Sequence, residues 1–162
     1  MSANIWKYGI WNNGTLKDGV WEAGIWENGT WESGIWKKGI WENGIWSNGV
    51  WKEGTWESGT WEDGTWNNGV WKSGTWNSGI WKEGIWIGGV WNNGVWNDGI
   101  WNDGIWNNGT LNNGIWASGI WNNGTWVKGI WKSGTWIKGY IYDPSIKDYV
   151  YSEVPPKEYF SC

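Results

Sequence analysis

Histidine and arginine are absent from this 162-residue sequence, and cysteine, methionine and phenylalanine occur once each. Without histidine there is no Ser/His or Cys/His nucleophile and no imidazole ligand for a metal ion. The single Cys162 excludes an internal disulfide framework and a four-cysteine zinc site. A free thiol also suits a reducing compartment. All 12 cationic residues are lysines, set against 16 acids for a net charge of −4. No guanidinium fork can grip a phosphate, and no basic excess lines a face, so the balance argues against nucleic-acid binding. No apolar run approaches a membrane-spanning length, and Met1–Asn4 leads straight to Ile5 and Trp6 without a signal-peptide core. The expectation is no membrane association, with synthesis in the cytoplasm or a place in a virion.

What the chain does have is glycine and tryptophan, 28 and 25 residues, about a third of the molecule. Glycine recurs every fifth residue from Gly9 to Gly139, and only Gly88 falls out of phase. Tryptophan follows the same period from Trp6 to Trp136, replaced only at Leu16 and Leu111, the two leucines of the chain. The residue before each Trp or Leu is always Ile, Val or Thr. The remaining two positions are mostly Asn, Glu, Lys, Ser or Asp. Twenty-seven such pentads succeed one another without insertion or deletion.

A period of five fits neither the 3.6 of a helix nor a long alternating strand. Helix is further opposed by one glycine per pentad, at about 1 kcal/mol each against alanine. The aromatic and β-branched content opposes disorder. A chain that turns a corner every five residues satisfies the pattern, each short extended side stacking about 4.8 Å above the one below. That is an all-β solenoid, with pairing local from one coil to the next.

Burial is read from which position tolerates polar residues. The β-branched position accepts Thr nine times, whereas the Trp position accepts only Leu as a substitute. Residues two apart on an extended chain share a face. Trp and Gly are therefore read as inward, and Ile, Val and Thr as outward. The inward ladder comprises Trp6, Trp11, Leu16, Trp21, Trp26, Trp66, Trp106, Leu111 and Trp136, with Gly9, Gly14, Gly69 and Gly139 as the small residues beside it. Buried indole N–H groups need partners, and corner carbonyls or water are the expected ones.

The repeat resembles the pentapeptide-repeat family, whose motif is a small residue, a polar residue, Leu or Phe, and two variable residues. Asn12-Asn13-Gly14 and Asn107-Asn108-Gly109 are similar to its Asn-x-Gly variant. The match in period covers residues 5–140. The resemblance implies a right-handed quadrilateral β-helix with four pentads per coil, its inward central residue at Trp6 through Trp136 and its inward small residue at Gly9 through Gly139. Twenty-seven pentads would then make about 6.75 coils and a rod about 30 Å long. The departures are consistent: Gly for Ala, Trp for Leu or Phe, and a β-branched residue for Asp or Asn. Trp plus Gly is bulkier than Leu plus Ala, which leaves a three-sided coil open.

With 20 residues per coil, Ile87 and Val127 would share one column and Ala117 and Ile137 another, leaving an apolar patch near the C-terminal end. Glu22, Glu27, Glu32, Glu42, Glu53, Glu57, Glu62 and Asp63 make the first half acidic, tempered by Lys37, Lys38 and Lys52. From Trp91 to Trp126 the outer positions are largely Asn, which at strand spacing can form amide ladders. Residues 1–139 are read as the solenoid and 140–162 as a C-terminal cap or tail. The tail holds all three prolines and five of the six tyrosines. Asp143-Pro144-Ser145 reads as a turn or helix start, and Ser145–Val154 as a short helix stopped by Pro155-Pro156. Tyr140, Tyr142, Tyr149 and Phe160 are the candidate contacts over the last coil. The N-terminal coil has no comparable cap, so it is expected to pair with another copy or with a protein partner.

Catalysis needs convergent, perturbed groups in a pocket, and acids and lysines here sit only at corners and in the tail. The sequence therefore predicts no enzyme, no cofactor and no metal. Calcium at Asn97-Asp98-Gly99 and Asn102-Asp103-Gly104 has the right oxygen donors but too few anions. A structural or interaction rod, for display or self-assembly in a virion or at a cell surface, is the leading reading. The resemblance adds a second, since some family members mimic DNA and act on type II topoisomerases. A flat face binding glycan on exposed Trp, or ice on Thr columns, is the third.

Overall fold

The computed structural model describes residues 5–157. Twenty-seven two-residue strands, β1 (Ile5–Trp6) to β27 (Thr135–Trp136), recur every five residues. Each pairs in parallel with the strand fifteen residues on, as β1 does with β4 (Val20–Trp21) through Ile5↔Val20 and Trp6↔Trp21. The coil therefore has three sides, and 27 strands make nine coils stacked into a solenoid. By the strand spacing the rod is about 43 Å long. The four-sided coil and the 6.75 turns that go with it are thus corrected. Three indoles, one per side, already fill the interior of a 15-residue coil, so a fourth side has no core to enclose.

The three sides differ in their outward columns. Side 1 begins at Ile5, side 2 at Ile10 and side 3 at Thr15. Corner-to-coil bonds continue the sheets around the bends: the Glu22 N–H donates to the Trp6 carbonyl at 2.7 Å, and the Ile25 N–H to the Gly9 carbonyl at 2.9 Å. Every later coil repeats this pair of bonds on each side. Nearly all extended backbone is thereby satisfied by the coil next to it.

The core is made of tryptophan. From Trp21 to Trp136 every residue in the Trp series is buried, Leu111 included. Along each side the indoles stack in parallel, with centroids 4.7 Å apart for Trp51 and Trp66 and an angle of 6° between planes. Between sides they meet edge to face, as Trp61 and Trp66 do at 6.0 Å and 74°. Both are favoured aromatic geometries, because the positive rim of one ring meets the negative face of the next. Trp6, Trp11 and Leu16 belong to the same ladder but are only half-buried, since among the described residues nothing stacks on the first coil.

The inward-glycine expectation needs amendment. Gly9 and Gly14 are exposed and Gly69 is half-buried, while Gly139 is buried. The glycines occupy the corners, where φ is positive in every pentad from Gly9 to Gly134. Side chains at these corners are excluded less by the neighbouring indole than by the backbone of the adjacent coil.

The C-terminal tail forms a hairpin. β28 (Gly139–Asp143) pairs in parallel with β25 (Thr125–Trp126), extending side 1 beyond the ninth coil. β29 (Asp148–Ser152) then pairs antiparallel with β28. The expected helix over Ser145–Val154 is replaced by a turn and a strand. Tyr149, Val150 and Tyr151 are strand formers with partners across the pair, Tyr140 facing Tyr151 at 5.9 Å and Tyr142 facing Tyr149 at 5.3 Å. The Asp143 carboxylate closes the turn by accepting from the Ser145 hydroxyl at 2.6 Å and the Ser145 N–H at 2.8 Å. The Ser145 hydroxyl, then its N–H, holds the Asp143 carboxyl below its ordinary pKa of 3.8.

Candidate functional surfaces

The ladder residues from Trp21 onward lie in the core and Trp6, Trp11 and Leu16 are half-buried at its first coil, so most of the rod's surface is built from the other four positions of the pentad. The cap is different. Tyr140 and Tyr149 are exposed, at 49% and 45%, and Tyr142 is half-buried. Phe160 lies outside the described residues. The residue that packs against the last indoles is Ile141, which sequence reasoning missed. Its signal was the phase: Gly139-Tyr140-Ile141 continues the five-residue register for half a pentad more, with Ile141 five residues after Trp136.

Fifteen-residue coils regroup the outer columns. Ile87 and Ala117 fall in one column at the edge of side 2, whereas Val127 follows side 1 and Ile137 follows side 3. The apolar patch expected from a 20-residue coil is thus redistributed. The trailing column of side 3 holds Asn77, Asn92, Asn107 and Asn122, where each of the last three amide N–H groups donates to the side-chain carbonyl one coil before at 2.8 Å. Asn77 in turn donates to the Glu62 carboxylate at 2.9 Å. The expected amide ladder is therefore present, and its donors all point toward the N-terminal end. Asn107→Ala removes one donated and one accepted bond inside the ladder. At about 1 kcal/mol per bond, urea unfolding should show a loss of about 1–2 kcal/mol.

Charged groups are mostly solvated. Lys37 bonds Glu22 at 2.8 Å and Lys72 bonds Glu57 at 2.9 Å, each across one coil and exposed. Such pairs contribute about 0.2–1 kcal/mol. Asp98 and Asp103 turn an oxygen onto the N–H of the following glycine, at 2.7 and 2.8 Å. Asp98 accepts from Asn113 with the other oxygen at 3.1 Å. Their carboxylates serve the corners and do not converge. Among the described residues no three acids or thiols gather as a metal site, and no helix is long and apolar enough to cross a membrane.

The indole N–H groups find few partners. Trp81 and Trp121 reach the corner carbonyls of Asp98 and Lys138 at 3.2 Å, and Trp136 reaches Ser152 at 3.0 Å. Nineteen other buried indole N–H groups have no acceptor. Leaving a buried donor unpaired costs about 1–3 kcal/mol. Burying an indole removes about 150–250 Å² of area, and at about 25 cal/mol per Å² that contributes roughly 4–6 kcal/mol as an upper bound. Burial wins at each site. Between the last coil and the hairpin lies an open hollow of about 480 Å³, whose lining includes Trp126, Ile130, Ile141, Lys128 and Lys157.

No protein-family model matches this chain, and no curated protein does. Solved structures with some likeness include the polysialic-acid-specific acetyltransferase NeuO, at 8% identity over 98% of this chain and 90% of that one, with a TM-score of 0.21. The polysialic acid O-acetyltransferase OatWY follows at 13% identity over 96% and 93%, with a TM-score of 0.18. A putative acetyltransferase from Desulfovibrio desulfuricans G20 has 5% identity over 86% and 71%, with a TM-score of 0.15. Similarity at this level carries no argument about function.

Proposed function

We propose that this chain is a non-catalytic structural rod that works through its shape and by self-association, as a kind of pentapeptide-repeat solenoid with a tryptophan core. The observation that carries this reading is the open strand edge of the first coil, whereas at the far end further strands extend side 1 but not sides 2 and 3. At one end the hairpin β28–β29 adds two strands to side 1. At the other, among the described residues, the N–H groups of Ile10, Asn12, Thr15 and Lys17 have no coil beneath them to accept. Their equivalents one coil later, Ile25, Glu27, Thr30 and Glu32, all donate. An open strand edge of this kind is a template for another chain.

Light scattering across a wide concentration range, with electron micrographs of the same samples, tests the reading. Mass that grows with concentration, and falls when Asn12→Pro and Thr15→Pro block the exposed edge, supports it. A monomer at every concentration overturns self-association. The glycan reading loses its platform, because the indoles from Trp21 onward are buried. The DNA-mimic reading needs a regular run of anions, yet residues 104–142 hold three lysines and no carboxylate. A gyrase supercoiling assay separates it.

A further inference from the structure

The two leucines of the ladder, Leu111 and Leu16, fall on sides 1 and 3, and side 2 has neither. Its nine indoles therefore form one unbroken stack from Trp11 to Trp131. Centroids lie 5.1 Å apart for Trp11 and Trp26, 4.7 Å for Trp56 and Trp71, and 5.1 Å for Trp116 and Trp131, with planes 6° from parallel in each pair. From Trp11 to Trp116 every indole N–H of this column is buried without an acceptor. The rest of the rod offers no competing site for oxidation. Residues 9–139 contain no Tyr, Cys, Met or His, so tryptophan is the one readily oxidised side chain along that length. Among the described residues tyrosine stands only at the two ends, as Tyr8 and as Tyr140, Tyr142, Tyr149 and Tyr151 of the hairpin.

We propose that the side 2 stack conducts one-electron oxidising equivalents along the rod and delivers them to the hairpin tyrosines. The inference goes beyond the structural reading and does not depend on self-association. The initiating oxidant is an oxygen-centred radical of the carbonate-radical class, meeting the half-buried Trp11. It takes one electron and becomes carbonate, leaving an indole radical cation. An electron from Trp26 refills Trp11, and the vacancy passes down the stack with no bond made or broken. Parallel faces in contact let the orbitals overlap, and the π-faces on either side attract the cation. With no acceptor for its N–H proton, the radical cation is not trapped midway as a neutral radical. Burial makes a charge costly in the dry core, so the vacancy is driven to the ends. There Trp131 meets Trp126 at 5.8 Å and Trp136 at 5.6 Å. Trp126 shares the terminal hollow with Tyr142, and Trp136 donates to the Ser152 carbonyl, next to Tyr151. The Tyr151 hydroxyl donates to the Glu153 carboxylate at 3.2 Å. Tyr151 gives an electron to the stack and its phenolic proton to Glu153, ending as a neutral tyrosyl radical. In sum, the carbonate radical and one tyrosine become carbonate, a tyrosyl radical and a proton.

The test uses the full chain in a Cys162→Ser background, with a ruthenium polypyridyl photosensitiser on Asn13→Cys, two residues beyond Trp11. Flash excitation with a cobalt(III) ammine as electron acceptor generates a ruthenium(III) oxidant at that end. Eight coils, about 38 Å by the strand spacing, separate the label from the hairpin, too far for one electron jump. A tyrosyl radical in transient absorption and oxidised hairpin tyrosines in peptide mass spectra are expected, with a yield independent of protein concentration. Trp66→Phe, Trp71→Phe and Trp76→Phe together replace one whole cross-section with rings that pack but resist oxidation. With circular dichroism verifying its fold, that variant should lose at least nine-tenths of the hairpin product and keep the oxidation N-terminal to the gap. A labelled chain in which oxidation stops at Trp6 and Trp11 overturns the proposal without recourse to any variant. Undiminished hairpin product in the Phe variant overturns it too, as does a yield that rises with protein concentration, the mark of transfer between copies. The structural reading stands in each of these cases, because none of them bears on self-association.

Discussion

Trp66→Ala should cost about 3–5 kcal/mol in denaturant unfolding, the range for deleting a buried large aromatic. Trp66 is wholly buried in the middle coils and sits between Trp51 and Trp81 at 4.7 and 4.8 Å. It also meets Trp61 and Trp71 edge to face. Truncation removes two stacked and two perpendicular contacts, each worth about 0.5–1.5 kcal/mol beyond area. The cavity cannot collapse, because the coils above and below are pinned by backbone bonds. Trp66→Leu should cost much less, since Leu111 occupies an equivalent place at 1% exposure with Trp106 and Trp116 closing to 6.4 Å around it. The Leu variant also deletes one unpaired indole N–H. Equal losses for Ala and Leu would show that stacking, not volume, holds the column. Because each coil touches only its neighbours, the Ala variant should also broaden the transition, as the halves of the array uncouple.

The inner ladder is legible in the sequence because one residue type carries it almost without exception. A position that accepts Trp or Leu and nothing polar, from Trp6 to Trp136, reads as core under any coil geometry. The number of sides is not legible. Pentads tile three-sided and four-sided coils equally well, and the choice depends on how many indoles fill one cross-section, which is a packing property. That one unknown propagates into every column: Ile87 and Ala117 share a column only when the coil has 15 residues. The tail departs from its expected helix for a different reason. Ser145–Val154 has a helix-like start, but Tyr149 and Tyr151 have strand partners in Tyr142 and Tyr140, and tertiary pairing overrides a weak local preference. The Asp143 turn, by contrast, is set by Asp-Pro-Ser alone.

Gly69→Ala should destabilise the rod severely, whereas Gly88→Ala should pass almost unnoticed. Gly69 has φ near 127°, a conformation that side chains rarely adopt. A Cβ there would also collide with the carbonyl oxygen of Gly54 in the preceding coil and lie 3.0 Å from its nitrogen. That oxygen accepts the Val70 N–H at 2.9 Å, so the backbone cannot retreat without breaking the coil-to-coil bond. Strain of about 1–3 kcal/mol for the dihedral adds to at least one lost bond at about 1 kcal/mol. The expected total is about 3 kcal/mol or more. Gly88, the glycine out of phase, meets nothing closer than the Lys72 carbonyl at 3.8 Å, and its φ lies outside the strained range. An alanine fits there in ordinary contact, and the reduced freedom of the unfolded chain offsets any small cost. Thermal melts of the two variants side by side decide the matter. A similar loss at both positions would mean that glycine content as such, rather than the approach of stacked corners, sets the fold. Loss at Gly69 alone makes the glycine column the element that fixes how closely successive coils can stack.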